Sequence, residues 1–383
     1  MKLNDLPPRT AEMCSYALAS IAYPWGSDAE KMKKEMVILM NSLGHGEIEA
    51  LWGGIAPASA LVPGDESGWN AALVLVARKL GTHDYVVVVR GTNPLSWDSW
   101  KLEDFDVCEK TAWDLGAPSK GSISHATATA LAIHEGLSDG GVPLLQFLQG
   151  IVADDPEATI EFAGHSLGGC MAPVLALKFR ESSSVDPSRL GVYSYAGPTP
   201  GDRAFAAYMK SVLDGFGLVS FVRDSGDIVP HAWNEEDLGA VEALYPERPA
   251  TETVLGLIEY VKSRVSANEY LHAYPGFIPI LIEAALEEEI ARALGQGELD
   301  TMAGPSAALR TGAWLMRELP RSGALAEERV RSGFLDTFAW FLRAMSMHVL
   351  PYLALCLPGA QRTLFDKVLK PCYFKGHLAA PWL

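Results

Sequence analysis

The sequence predicts an α/β fold, a mainly parallel central sheet with helices on both faces. Three observations carry that prediction. Strand-like and helix-like runs alternate from Thr159 to Pro230, as in a parallel sheet built from crossover units. Val86-Val87-Val88-Val89 is apolar at every position, as a strand covered on both sides must be. Gly164-His165-Ser166-Leu167-Gly168 stands between a strand-like run containing Ile160 and Phe162 and a helix-forming run at Met171–Arg180. It is a G-x-S-x-G in a sharp strand-to-helix turn, the context in which that pattern carries chemistry.

With 383 residues the chain can bury a large core as one domain, 1–383, or as one domain with an insertion. Hydrophobic residues make up 49% of it, and the mean hydropathy is +0.10, which points to a large core, an apolar working surface, or both. A net charge of −16 excludes a nucleic-acid partner, since little would neutralise phosphates, and argues against tight docking on anionic lipid. An acidic enzyme handling neutral substrates fits these numbers. The five cysteines (Cys14, Cys108, Cys170, Cys356, Cys372) have no C-x-x-C spacing, so neither a disulfide framework nor a zinc site is expected.

Met1–Tyr23 is interrupted by Asp5, Pro7, Pro8, Arg9 and Glu12 and does not read as a signal peptide. Phe334–Leu357 carries Asp336, Arg343 and His348, which argues against a transmembrane segment. A soluble protein is expected, cytoplasmic or exported without a cleaved signal.

Taken in order, Arg9–Ala22 and Glu30–Leu43 read as two helices broken at Tyr23-Pro24-Trp25-Gly26. Residues 1–50 are therefore expected to form a helical arm across the sheet. Ala71–Arg78 and Tyr85–Arg90 are β-rich and joined by Gly81-Thr82-His83-Asp84, a hairpin signal. Residues 93–118 interleave Trp97, Trp100, Phe105 and Trp113 with acidic residues, a candidate lid or a loop packed onto the domain. Gly121–Leu137 reads as helix, and its His125 and His134 as structural. Leu190–Ala196 and Leu218–Val222 read as strands, and Asp202–Leu213 as a helix with Asp202 as a cap. Residues 275–343 read as a helical insertion or cap, with Ile282, Leu286, Ile290 and Ala293 at near-helical spacing.

The chemistry centres on Ser166. Only small residues fit beside a serine in so tight a turn, and the turn holds its hydroxyl out at a helix N-terminus. A serine nucleophile needs a base and a carboxylate to orient it. Asp227 follows a strand end and precedes Ile228-Val229-Pro230, so it is the preferred acid, with Asp224 the alternative. The central strand ends in Arg90-Gly91-Thr92. That exit can aim a backbone N–H and a hydroxyl at an oxyanion, or can be an ordinary turn.

These pieces resemble the class 3 lipases, also called fungal-type lipases. The matching runs stand in family order: Val88-Val89-Arg90-Gly91-Thr92, His125 at a helix start, Gly164-His165-Ser166-Leu167-Gly168-Gly169, Tyr195-Ala196-Gly197-Pro198 and Asp227-Ile228-Val229-Pro230. They cover roughly Ala71 to Pro230. After the helix-start histidine the family usually has a glycine and an aromatic, whereas this chain has Ala126-Thr127-Ala128.

The resemblance implies an α/β-hydrolase fold and a lipolytic serine hydrolase acting on acyl esters through an acyl-enzyme. It implies Ser166 as nucleophile, Asp227 as acid, and the N–H groups of Leu167 and Thr92 as the oxyanion hole. His348, in His348-Val349-Leu350-Pro351-Tyr352-Leu353, is similar to the family's late histidine and is the preferred base; His272 and His377 are the alternatives. His231 lies only four residues from the acid and is expected not to reach the serine. Residues 275–343 would then lie between acid and base and roof the site. No metal or organic cofactor is implied, and the partners implied are an acyl ester or lipid substrate and transient contact with a lipid interface. A phospholipase or general carboxylesterase with the same triad is the second reading. A non-catalytic lipid-binding protein on a hydrolase fold is the third.

Overall fold

A computed structural model describes residues 7–24, 26–60, 68, 70–91, 106–280, 340, 343–344 and 347–368. Its six-stranded sheet comprises β1 (Ile48–Pro57), β2 (Asn70–Lys79), β3 (Asp84–Val89), and, after the short pair β4 (Lys110–Ala112) and β5 (Ser122–Ser124), β6 (Thr159–His165), β7 (Leu190–Tyr195) and β8 (Leu218–Val222). The strands lie in the order β1-β2-β3-β6-β7-β8. The first three pair antiparallel, and β3, β6, β7 and β8 are mutually parallel.

Register is what positions the site. Val89 lies opposite Gly164, His165 opposite Tyr195, and Tyr195 opposite Val222. The carboxyl ends of all four parallel strands therefore stop along one line. Gly91, Ser166, Ala196 and Asp224 emerge beside one another there, at the edge where sheets of this class bind and react.

Helices cover both faces. On one lie α1 (Pro8–Ala19), α2 (Ala29–Asn41), a helix described over residues 347–354, and α9 (Pro358–Leu364). Their Met13, Leu18, Met36, Tyr352, Leu353 and Leu364 share a core with Leu73, Leu75, Val86 and Val88. On the other lie α3 (His125–Gly136), α4 (Leu144–Asp154), α5 (Leu167–Ser182) and α6 (Arg203–Leu213), packed on Val74, Val87, Val89 and Phe162. The four valines of β3 thus alternate between two cores, and burying each fully is worth about 1.5–3 kcal/mol. Asp202 caps α6, its side chain accepting from Phe205 N–H, as the sequence predicts. The arm is fastened across the sheet by charge: Arg9 Nε donates to Glu161 at 2.8 Å, and Lys79 reaches Glu12 at 3.2 Å.

Several expectations change. Residues 1–50 are not all helical, because β1 begins at Ile48; a register shift between Ala50 and Trp52, followed by Gly53 and Gly54, hides its alternation in the sequence. The helix expected from Gly121 starts at His125, since Ser122–Ser124 pairs with β4 and Ser124 caps α3 through Thr127 N–H at 3.0 Å. The helical reading of 275–343 fails at its start. Ile278 bridges Asp224, with its N–H on Arg223 O at 2.9 Å, because Pro275, Gly276 and Pro279 cannot hold a helix there. The body of that expected insertion, residues 281–339, lies outside the described residues, as does 93–105 of the candidate lid. Trp113, from the lid's described part, packs on Phe205 and gives its indole N–H to Glu181 at 3.1 Å, so it fastens the loop to the domain.

Helices α4, α7 (Glu235–Ala240) and α8 (Glu252–Val265) were not foreseen. The four described cysteines are free thiols. Among the described residues no helix is long and apolar enough to cross a membrane.

Candidate active site

Ser166 sits between the last residue of β6 and the first of α5, with φ 63° and ψ −130°. A non-glycine residue in this region stores about 1–3 kcal/mol of strain, which the surroundings must over-determine. Its N–H donates to Tyr195 O at 3.0 Å, and its carbonyl accepts from Cys170 N–H at 3.1 Å. The flanking glycines are required by close approach. A Cβ on Gly164 would fall 2.1 Å from Gly168 O, and one on Gly168 would fall 2.2 Å from Val89 O. Gly91 is equally confined, since its Cβ would lie 2.5 Å from His165 O. The end of β3 is thereby pressed against the serine turn. Leu167 opens α5, so its N–H has no intrahelical acceptor and is free to serve a ligand. Thr92, the other expected oxyanion donor, lies outside the described residues.

Asp227 and His348 meet across 121 residues of sequence. His348 Nδ1–H donates to the Asp227 carboxylate, 3.0 Å from each oxygen. Asp227 is fully buried, and two further donors hold it: Tyr352 Oη–H at 2.9 Å and Val229 N–H at 3.0 Å. With its Nδ1 proton given to Asp227, the neutral imidazole keeps its lone pair on Nε2. That atom is buried and has no hydrogen-bond partner among the described residues, so Ser166 Oγ is not bonded to it in this conformation. Catalytic hydrogen bonds are often long until substrate arrives.

The two groups are nevertheless linked. His165, next to the serine, donates from Nε2–H to His348 O at 2.8 Å, and the two rings pack with centroids 4.6 Å apart.

The alternatives are placed elsewhere. Asp224 accepts from Ile280 N–H at 2.7 Å and Gly226 N–H at 3.0 Å, and burial, with Asp227's charge added, raises its pKa. It holds the chain and, among the described residues, hydrogen-bonds to no histidine. His272 gives its Nε2–H to Pro230 O at 2.8 Å; burial, and then the Arg223 charge, holds its pKa well below the usual imidazole range. His231 stacks on Phe277 and faces Asp237 O. His134 is buried on Ala130 O with its pKa lowered to about 4, and His125 is an exposed partner of Asp106. His377 lies outside the described residues.

Two roles escaped the sequence reading. Tyr352 stands four residues after His348, one helical turn away and so on the same face, a spacing that could have flagged it. His165 carried no signal beyond its place in the pentapeptide. Among the described residues no cluster of His, Cys, Asp or Glu could hold a metal ion. A groove of about 970 Å³ opens at the opposite end of the sheet, lined by Leu51, Arg78, Phe147 and Asp155, and contains none of these residues.

A strained serine turn at the carboxyl edge of a mainly parallel sheet, with a buried His–Asp pair beside it, defines a serine hydrolase of the α/β-hydrolase fold. Residues 86–236 match the family model "Lipase (class 3)", which supports a carboxylic ester hydrolase. Among solved structures the chain is similar to M37 lipase, with a TM-score of 0.59 and 24% identity over 73% of this chain and 87% of that one. The lipase of Rhizopus microsporus var. chinensis matches at a TM-score of 0.41 and 19% identity, over 60% of this chain and 71% of that one.

Proposed function

We propose that the protein cleaves carboxylic esters of acyl lipids, acylglycerols foremost, with Ser166, His348 and Asp227 as its triad. The observation that carries this is the buried His348 Nδ1–Asp227 pair, bonded through His165 to the serine turn, with Nε2 left unpartnered. His348 Nε2 takes the Ser166 proton as Oγ attacks the ester carbonyl, and Asp227 stabilises the imidazolium. The tetrahedral oxyanion accepts from Leu167 N–H, with Thr92 N–H as the second donor; each such donor is typically worth about 3–4 kcal/mol. His348 then protonates the departing alcohol, and water, activated by the same ring, releases the acid. Transient contact with a lipid interface belongs to this reading, supported by the apolar composition.

The test compares emulsified triacylglycerol, phospholipid vesicles and p-nitrophenyl esters of short to long acyl chains, with Ser166→Ala as control. Acylglycerol and long-chain ester hydrolysis abolished by Ser166→Ala is expected. Phospholipid cleavage without acylglycerol cleavage would replace the substrate, and an inert wild type that also resists a fluorophosphonate would overturn the enzyme.

A further inference from the structure

Asp227 fixes one atom of the base. A ring held only at Nδ1 can still pivot about that bond and carry Nε2 away from the nucleophile, so a second constraint is needed. We infer that His165 supplies it, as a positioning residue that locks the base to the serine turn from the position immediately before Ser166. The inference rests on the reading of Ser166 and His348 given above.

Three contacts support it. The His165 Nε2–H bond to His348 O, at 2.8 Å, spans 183 residues and ties the base's backbone to the elbow. The two ring centroids lie 4.6 Å apart at 40°, so His165 also limits the tilt of the base. Tyr352, which donates to Asp227, meets the His165 ring edge-on at 5.1 Å, so one ring touches both the base and the support of the acid. On its other side, the His165 carbonyl abuts Gly91 at the end of β3.

The choice of histidine follows. Phenylalanine would keep the ring contact and lose the donor. Glutamine would keep a neutral donor and lose the ring. Lysine or arginine would set a charge beside the imidazolium that forms during turnover. Burial, with the neighbouring His348 charge acting in the same direction, holds the His165 pKa well below the usual imidazole range, so it serves as a neutral donor throughout.

The experiment measures kcat, KM and the pH dependence of kcat/KM for wild type, His165→Gln and His165→Phe. Active sites are counted by fluorophosphonate titration, so a misfolded fraction drops out. His165→Phe is expected to lose about 10- to 100-fold in kcat with KM within a few-fold, the scale of a misplaced catalytic group. Its acid limb should move to lower pH, because a ring no longer held square on Asp227 forms its imidazolium less readily. His165→Gln should recover most of kcat and return the limb toward the wild-type position. Wild-type kcat per active site in His165→Phe would overturn the inference. So would equal loss in both variants with the acid limb unmoved, the signature of packing alone. If the phenylalanine chain does not fold, His165→Asn and His165→Leu repeat the comparison of donor with no donor. His348→Ala, run in parallel, separates the two levels: activity retained there would sink the triad reading itself.

Discussion

His272 and His348 are buried to a similar degree, 6% and 2% exposed, yet their surroundings give them opposite chemistry. His272 sits in the chain leaving α8, with its Nε2–H on a backbone carbonyl and Arg223's positive charge nearby. Protonating it would add a second positive charge to a dry site. His348 sits one helical turn from Tyr352, with its Nδ1–H on a carboxylate that two further donors hold and its Nε2 unpartnered. A positive charge on that ring has a negative partner waiting. On the proposed assignment, what distinguishes the base from a buried structural histidine is the sign of the neighbouring charge; depth does not, and neither does an open Nε2, since His134 Nε2 is also buried without a partner among the described residues.

The sharpest way to break this comparison is to remove each ring in turn. His348→Ala is expected to lower kcat by roughly 10⁴–10⁶-fold, the range for removing a triad histidine. His272→Ala should keep kcat within a few-fold and show its effect in thermal unfolding. Equal losses in ester hydrolysis would contradict the assignment.

The two aspartates repeat the contrast three residues apart. Asp227→Asn keeps the shape but offers Nδ1 the wrong partner, and a loss of about 10⁴-fold in kcat is expected. Asp224→Ala removes the acceptor of the Ile280 and Gly226 N–H groups, which should cost about 1–3 kcal/mol of stability and leave kcat per active site within about tenfold. Denaturant midpoints and titrated kcat values read the two effects separately.

A third contrast is in stability against pH. His134, His165 and His272 are held neutral by burial, with folded pKa values below the ordinary 6.5. Below that value the unfolded chain binds protons that the folded chain refuses. Stability is therefore fully present above about pH 6.5 and falls as the pH drops toward the folded values, by up to about 1.4 kcal/mol per pH unit for each histidine. For His134 the loss should continue to about pH 4. Chemical denaturation from pH 7.5 to 4.5 should show this slope, and His134→Gln should flatten part of it. An unchanged slope in that variant would remove His134 from the account.

Much of this was legible in the sequence because it is local. The serine turn announces itself in five residues, and β3 in four consecutive valines. Asp227 was preferred over Asp224 because it stands beside Ile228-Val229-Pro230. What escaped was long-range or irregular. β1 is concealed by a register shift and two glycines in a row. The Tyr352–Asp227 and His165–His348 bonds join segments 125 and 183 residues apart, and no periodicity encodes such a meeting. His348 itself was reached through resemblance. The physical reason for preferring it, an open Nε2 opposite a supported carboxylate, exists only in the folded chain.

The most direct test is the rate at which a fluorophosphonate labels Ser166, followed from acid to neutral pH in wild type, Asp227→Asn and His272→Gln. The account predicts a labelling rate that rises with one ionisation in wild type, a nearly identical profile in His272→Gln, and a slow, shifted profile in Asp227→Asn. A profile that moves in His272→Gln and stays in Asp227→Asn would contradict it.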